Sequence, residues 1–395
     1  MPITNTMEAL LAEGFSRKLA GAYLDALARE DKSDLFDPAY REWAHSNGFF
    51  AESASAYGLS EDNIGDYLSD HDYYKVWPIN GWQRIWINDK LTLKYMLHGT
   101  EFEHLMPRYY FYADQRGLFP LLDEGGVARI LAGGRPEANR SDAMGCLLDC
   151  LRSVGELAVK PCNGEKALGF HKLSWTGSSY LVDNAPATEA DVRRFVDEHG
   201  NDLYTEFLHP GGGLELVSPV IHTLRVLVVN QTGVDPTPVA AYFRFASGVG
   251  ADDSKANYRL PRDAGTCSYD VDFDLETGEY GGGRLVYANK VVMSPKHPDT
   301  GVLAEGTYPN WAEVRAEMLR LSCRLGPVEY MGFDLSETTD GPKLMEINSH
   351  SGCKYLQVFR PFRRDAFLSA YFDEKLAQID ALDDEARTRR NNTMR

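Results

Sequence analysis

The stretch YMGFDLSETTDGPKLMEINSH, Tyr330 to His350, sets Asp334, Glu346 and Asn348 among apolar residues that alternate as strands do. Opposed side chains on one face of a hairpin stand about 5 Å apart. Two anions that close repel unless a cation lies between them or one is protonated. Oxygen donors without Cys or His suit a hard cation, Mg²⁺ first and Mn²⁺ second, held by one or two carboxylates together with substrate phosphates. The chemistry on offer is metal-assisted handling of a polyphosphate, if the three side chains share a face.

Register decides that. TTDGP is a turn signal, with Asp340-Gly341 supplying a positive φ and Pro342 interrupting the ladder. A two-residue Asp-Gly loop would set Asp334 opposite Ile347 and Leu335 opposite Glu346, mixing charge and hydrocarbon on both faces. An odd loop sets Leu335 opposite Ile347 and Asp334 opposite Asn348, with Glu346 one diagonal step away. One face is then wholly apolar, so burial favours the odd loop. The plainer reading is a solvated polar face on an ordinary hairpin; it loses ground if phosphate-binding groups occur elsewhere in the chain.

Such groups do occur. Lys160 ends the apolar run ELAVK and precedes the loop PCNGEKALG, whose Gly164 and Gly169 leave the backbone able to cradle phosphate while the lysine supplies a point charge. Lys90, in NDK, opens a helix; its plain alternative is a surface lysine. Arg225 in HTLRVLVV and Arg244 in AAYFRFAS each interrupt an apolar strand, and a buried Arg requires an anionic partner: phosphate, the metal carboxylates, or a structural Asp. In YTEFLHP, Glu206, Phe207 and Leu208 leave a strand where backbone groups can read an adenine edge and an apolar side chain can stack on the ring.

The elements that would position these groups follow from periodicity. Residues 1 to about 88 read as mostly helical and aromatic-rich. From Asn88 strands and helices alternate: a helix capped at Asp89, a strand MPRYYFYADQ, a helix capped at Ser141, strand–loop–strand through Lys160, a Thr-capped helix ATEADVRRFVDEHG, and the strand LYTEFL. Two strands carry Arg225 and Arg244, a helix capped at Asn310 or earlier follows, then the hairpin and a C-terminal helix near DAFLSAYFDEKLAQIDALDD.

The chain has 395 residues, 43% hydrophobic and 25% charged, ordinary for a globular protein with a large core. A net charge of −17 argues against a general nucleic-acid or anionic-membrane surface, though not against a local basic pocket. The six cysteines form no CxxC pair, and Cys146 and Cys150, four apart on a helix, read as packing. No apolar run reaches membrane-spanning length and no signal peptide is evident, so a cytoplasmic protein with reduced thiols is expected.

In order, NDK, VKP with its loop, a strand ending Glu-Phe-Leu, TLRV, Arg244 and D…EIN resemble the ATP-grasp superfamily of carboxylate–amine ligases, and more narrowly the sugar-transfer-associated ATP-grasp family. HPDTG at 297–301 and EGTYPNW at 305–311 support the likeness, which runs from about residue 45 to 360. It implies an α+β ATP-grasp fold: a helical extension (1–88), a first subdomain with the phosphate loop (89–205) and a second with the metal site and C-terminal helix (206–395). It implies that Lys90 and Lys160 contact ATP phosphates, that Glu206 to Leu208 hold adenine, and that Arg225 and Arg244 hold the γ-phosphate and an acyl-phosphate intermediate. Asp334, Glu346 and Asn348 would bind Mg²⁺, and Ser349 to Gly352 would lie beside the acceptor. Two departures stand out: NGEKALG lacks a third glycine, and KANYRLPRDAGTCSYD replaces a more usual Asp-Asn and Gly-Gly pattern.

The implied reaction joins a small-molecule carboxylate to an amine, with an amino acid and a sugar acid in polysaccharide assembly as one version. His350 and Glu215 are the general-base candidates. A phosphotransferase acting on a hydroxyl would use the same platform, and a binding module that has lost catalysis is the third reading; the complete Lys, Arg, Asp, Glu and Asn set argues against the last.

Overall fold

The computed structural model describes residues 3–121, 142–163, 169–258, 260–261 and 263–392. Seven short helices come first: α1 (Met7–Ala12), α2 (Arg17–Asp31), α3 (Pro38–Ser46), α4 (Ala51–Tyr57), α5 (Asp70–Val76), α6 (Ile85–Asn88) and α7 (Lys90–Leu97). Thr6, Ser16, Asp37, Ser69 and Asp89 cap five of them by accepting from first-turn N–H groups. α4 begins at Phe50, which offers no capping side chain. Its open N–H groups are met from other helices: Glu30 of α2 accepts from Ala51 (2.7 Å) and Glu52 (2.9 Å), and Asp70 of α5 accepts from Phe50 (2.8 Å). Two buried carboxylates thus tie three helices together.

The first sheet is antiparallel throughout, in the order β2-β1-β7-β3-β4-β5-β6. Its strands are β1 (Tyr109–Asp114), β2 (Gly117–Pro120), β3 (Glu156–Pro161), β4 (His171–Trp175), β5 (Tyr180–Val182), β6 (Ala185–Ala187) and β7 (Asp202–Glu206). Helices α8 (Ala143–Val154) and α9 (Glu189–Glu198) bury Leu147, Leu151, Val192 and Phe195 against Leu157 and Tyr204. Asp142 caps α8; Ser141, the expected cap, lies outside the described residues. Thr188 caps α9 in a reciprocal pair with Asp191, as its sequence suggests.

The second sheet runs β12-β11-β10-β9-β8-β14-β15, with β13 on β11, and is also antiparallel. Its strands are β8 (Thr223–Val229), β9 (Thr237–Phe245), β10 (Cys267–Phe273), β11 (Glu279–Tyr287), β12 (Val291–Met293), β13 (Gly306–Thr307), β14 (Tyr330–Thr338) and β15 (Gly341–Asn348). One face carries Leu224, Phe243, Phe333 and Ile347 and packs on Trp311 and Met318 of α10 (Trp311–Arg324). Asn310 precedes α10 with φ of +50° and makes no side-chain cap bond, so the expected cap is positional only.

The other face is divided. At one end Leu227, Val229 and Tyr330 pack against Val76 and Trp77 and the C-terminal helices α11 (Lys354–Phe359) and α12 (Ala366–Asp380); α13 (Asp384–Asn392) closes the chain. Toward the other end the same face turns polar, with Arg225, Arg244, Asp270 and Asp334. The α+β class, with a helical extension ahead of two antiparallel sheets, agrees with expectation. No helix among the described residues is long and apolar enough to cross a membrane.

The seam between extension and sheet is held by Asn80, 2% exposed. Its amide nitrogen donates to the carbonyls of Tyr330 (2.7 Å) and Ser349 (2.9 Å), and its oxygen accepts from the N–H groups of Glu329 (2.8 Å) and Tyr330 (3.0 Å). Replacing it by Ala removes all four bonds, three of them buried. Asn80→Ala is expected to lower unfolding stability in urea by about 3 kcal/mol, and a loss below about 0.5 kcal/mol would put Asn80 among ordinary surface positions.

Candidate nucleotide and metal site

The hairpin reaches a common polar face by a different route from the one its sequence suggests. The turn is the two residues Thr339-Asp340, with Thr338 opposite Gly341, whose φ is +85°. Continued regularly, that register would set Asp334 opposite Met345 and turn Glu346 to the wrong face. A β-bulge intervenes: Leu335 faces Leu344, but Asp334 faces Glu346, so Met345 is the extra residue. Leu344 and Ile347, three apart, are both buried in the core as a result. The expected odd loop is therefore replaced by an even turn plus a bulge. Asp334 lies opposite Glu346, and Asn348 lies opposite Gly332 rather than opposite Asp334. The three side chains share a face all the same: the Asn348 amide nitrogen is 3.2 Å from Glu346 Oε1 and 3.4 Å from Asp334 Oδ2.

Cations surround this trio. Arg225, opposite Asp334 on β8, grips its carboxylate with Nε and with Nη2 (2.8 Å), while Nη1 reaches Ser351 Oγ (3.2 Å). Gly332 makes room for that contact, since a Cβ there would collide with the Ser351 side chain. Lys90, held by the Asp89 cap at the start of α7, sets Nζ 3.2 Å from Glu346 Oε2. Burial pushes the Asp334 carboxyl up, against the pull of Arg225 and with the Glu346 charge adding to the rise. Burial acts on Glu346 too, but the Lys90 and Arg225 charges outweigh it and hold its carboxyl below the usual range. The two neighbouring carboxyls are thus shifted in opposite directions, Asp334 up and Glu346 down.

The donor set fits a hard divalent cation. Two carboxylates and an amide oxygen lie within one another's reach, and the amide orientation of Asn348 is assigned from its hydrogen bonds, so a half-turn presents Oδ1 instead of Nδ2. Among the described residues no group of three or more His, Cys, Asp and Glu side chains could hold a metal. The fit is thus of the kind that needs substrate oxygens to complete the shell.

A cleft lies between the two sheets. Lys160, Glu206, Phe207 and Leu208 line it from the first sheet and its exit, and Ile221 and the bulged Met345 line it from the second. The Glu206 carboxylate accepts from the Arg108 N–H (3.0 Å). Gly169, with φ of +78°, returns the phosphate loop so closely over Pro161 that a Cβ would meet the ring at 2.9 Å. Gly164 and the loop at 164–168 lie outside the described residues. Burial draws the Lys160 ammonium down to about 8, the charge of Lys90 adding to the effect and Glu346 opposing it.

Arg244 takes a partner that sequence reasoning did not name. Its Nε bonds Asp270 Oδ1 and Ser268 Oγ, both at 3.0 Å, and its guanidinium lies 4.3 Å and 4.4 Å from the ring centres of Tyr258 and Tyr355. The signal was present in CSYDVDF, a strand whose Asp270 falls on the parity opposite to its apolar residues. Of the two general-base candidates, His350 lies against Trp77 with ring centres 3.8 Å apart and planes tilted by 33°, and Glu215 sits exposed on a short turn where it accepts from Gly213 (2.9 Å).

No family model matches the sequence, and no curated protein matches it. Among solved structures the chain is similar to the ATP-grasp ligase PsnB complexed with minimal precursor: 11% identity, 75% of this chain and 62% of that chain, TM-score 0.35. It is similar to D-alanyl-alanine synthetase A from Vibrio cholerae: 12% identity, 75% and 66% of the two chains, TM-score 0.40. It is also similar to an L-amino acid ligase from Bacillus licheniformis: 10% identity, 86% and 57%, TM-score 0.32. The chain therefore spans less than two thirds of the length of each of these proteins.

Between about 8 and the ordinary 10.5 the unfolded chain holds a proton on Lys160 that the folded chain releases. The cost of burying that charge is full below 8 and vanishes above 10.5, so stability contributed through this group rises with pH across the window. Lys160→Met is expected to unfold at higher urea concentration than the parent at pH 7, with the gap closing toward about pH 10. A gap that stays constant with pH would show that Lys160 is not buried as a cation.

Proposed function

We propose that this protein is an ATP-dependent, ADP-forming carboxylate–amine ligase of the ATP-grasp type, acting through an acyl phosphate with Mg²⁺, or Mn²⁺ in its place. The observation that carries the reading is the convergence of Lys90 and Lys160 on the Asp334–Glu346–Asn348 trio, where the trio's own strand neighbour is Arg225. Three positive groups and a metal-fitting donor set beside one cleft match a triphosphate better than any neutral ligand. The adjoining cleft, with Phe207 and Leu208 beside the end of a strand, suits a purine.

In this reading a carboxylate oxygen of the donor attacks the γ-phosphorus and ADP leaves. The amine nitrogen then attacks the acyl carbon, the amide forms and inorganic phosphate leaves with the electron pair of the broken C–O bond. Mg²⁺ bound by the trio would neutralise phosphate oxygens during the transfer. The chain's own part is positional and electrostatic. Lys90 and Lys160 hold the phosphates from one side of the cleft, and Arg225 and Arg244 offset charge on the transferred group from the other. Donors in this reading are sugar acids or other small carboxylates, acceptors are amino acids or other amines, and the setting is the cytoplasm.

Incubation with Mg²⁺, ATP, hydroxylamine and a pool of uronic acids and amino acids is expected to yield ADP and a hydroxamate of the donor acid, detected by mass spectrometry. ADP with a phosphorylated hydroxyl and no hydroxamate would replace the ligase reading with a phosphotransferase. Glu346→Gln is expected to lower turnover at least about 100-fold with circular dichroism unchanged, and Asp334→Asn to lower it as far while also losing stability, because Arg225 loses its carboxylate. Full activity in either variant would remove the trio from the metal site.

A further inference from the structure

Segment 248–258 leaves the end of β9 in the second sheet and crosses to the first, and each part of it is tied down. At its base, Asp299 accepts from the N–H groups of Gly248 (3.0 Å), Val249 (3.1 Å) and Gly250 (2.9 Å). At its tip, Asp253 Oδ2 pairs with Lys172 of β4 (2.6 Å), and the Asn184 amide of the β5–β6 turn donates to Asp252 (2.9 Å) and Asp253 (3.1 Å). On its return, Asn257 donates to Thr223 Oγ1 (2.7 Å), and Tyr258 lies on the guanidinium of Arg244.

Lys172 is the centre of the cross-sheet contact. It is 4% exposed, its ammonium also pairs with Glu156 Oε1 of β3 (2.5 Å), and it lies 4.3 Å from the ring centre of Phe207. Glu156 is held in turn by His209 (2.8 Å). Asp253 and Phe207 both line the nucleotide cleft, so the ion pair and the cleft wall are one structure. A buried cation between two carboxylates from different parts of the chain is costly to break on one side, because the remaining charges lose their compensation.

We propose that Lys172 is a positioning residue: it latches the strap 248–258 of the second half onto the first sheet and so closes the nucleotide cleft, with Tyr258 transmitting the strap's position to Arg244. The inference builds on the nucleotide reading above, but the latch itself is measurable without any ligand. Hydrogen exchange over 248–258 is compared in the parent, Lys172→Met, Asp253→Asn and Lys172→Arg, and the dissociation rate of a fluorescent ATP analogue with Mg²⁺ is measured on each. Lys172→Met and Asp253→Asn are expected to speed exchange in the strap and to raise the dissociation rate about tenfold, and Lys172→Arg to restore most of both. Should Lys172→Met fail to fold, Asp253→Asn carries the test, since it leaves the Lys172–Glu156 pair in place. Unchanged strap exchange in the variants would overturn the latch. Faster exchange with an unchanged dissociation rate would overturn its link to the cleft. A parent protein that opens its strap on Lys172→Met yet never binds the ATP analogue would overturn the nucleotide reading, and the positioning role with it.

Discussion

The Asp334–Glu346–Asn348 trio at the polar end of the second sheet depends on the Arg225–Asp334 pair. It spans two adjacent strands, β8 and β14, at a point where the same sheet face passes from hydrocarbon packed under helices to open cleft. A charge pair in that position has to be satisfied on both sides: breaking it by removing one partner would leave a buried ion, a large penalty on the scale of protein stability. Ser351 on one side and Asn348 on the other complete the arrangement. The pair thus fixes the segment after β15 as firmly as it fixes the strands.

The helical extension belongs to the same problem. Asn80 binds the carbonyl of Ser349, Tyr73 donates to the carbonyl of Ser351 (2.9 Å), and Asn88 accepts from the Ser349 N–H (3.2 Å). The three residues that follow the metal-fitting strand are therefore held by side chains from residues 73–88. An aromatic-rich stretch to which sequence reading assigned no chemistry turns out to hold the loop beside the trio. Its tyrosines and Trp77 fill the space under the sheet, and its two asparagines supply the specific hydrogen bonds that packing alone cannot.

Legibility in the sequence followed the range of the interaction. The helix caps at Asp89 and Thr188 and the alternating strands depend on neighbours a few residues apart, and the grouping of Asp334, Glu346 and Asn348 on one hairpin; all could be read, though not the pairing within the hairpin. The bulge at Met345 could not, because nothing local demands it. It is imposed by the need to bury both Leu344 and Ile347 while keeping Glu346 on the polar face. Asp270 and Lys172 were missed for a related reason: each is an ordinary charged residue on a strand until its partner arrives, from β9 for the one and from 81 residues away for the other. The expectation that a strand arginine needs an anion was sound for both Arg225 and Arg244, but it could name the right anion only for Arg225.

The net charge of the chain does not describe the charge around the cleft. The chain carries −17 overall, yet four cations gather in and around one cleft wall: Lys90, Lys160, Lys172 and Arg225. Three of them have a carboxylate within contact: Glu346 for Lys90, Glu156 and Asp253 for Lys172, and Asp334 for Arg225. Lys160 differs, for its described contact is the ring of Tyr109, 5.7 Å to the centre, and burial and the Lys90 charge lower its proton affinity against the pull of Glu346. A cation so placed raises the energy of the protein until an anion arrives. Those four carboxylates balance the four cations, so within a Debye length of about 8 Å the cleft wall is close to neutral and the acidic remainder of the surface is screened from it.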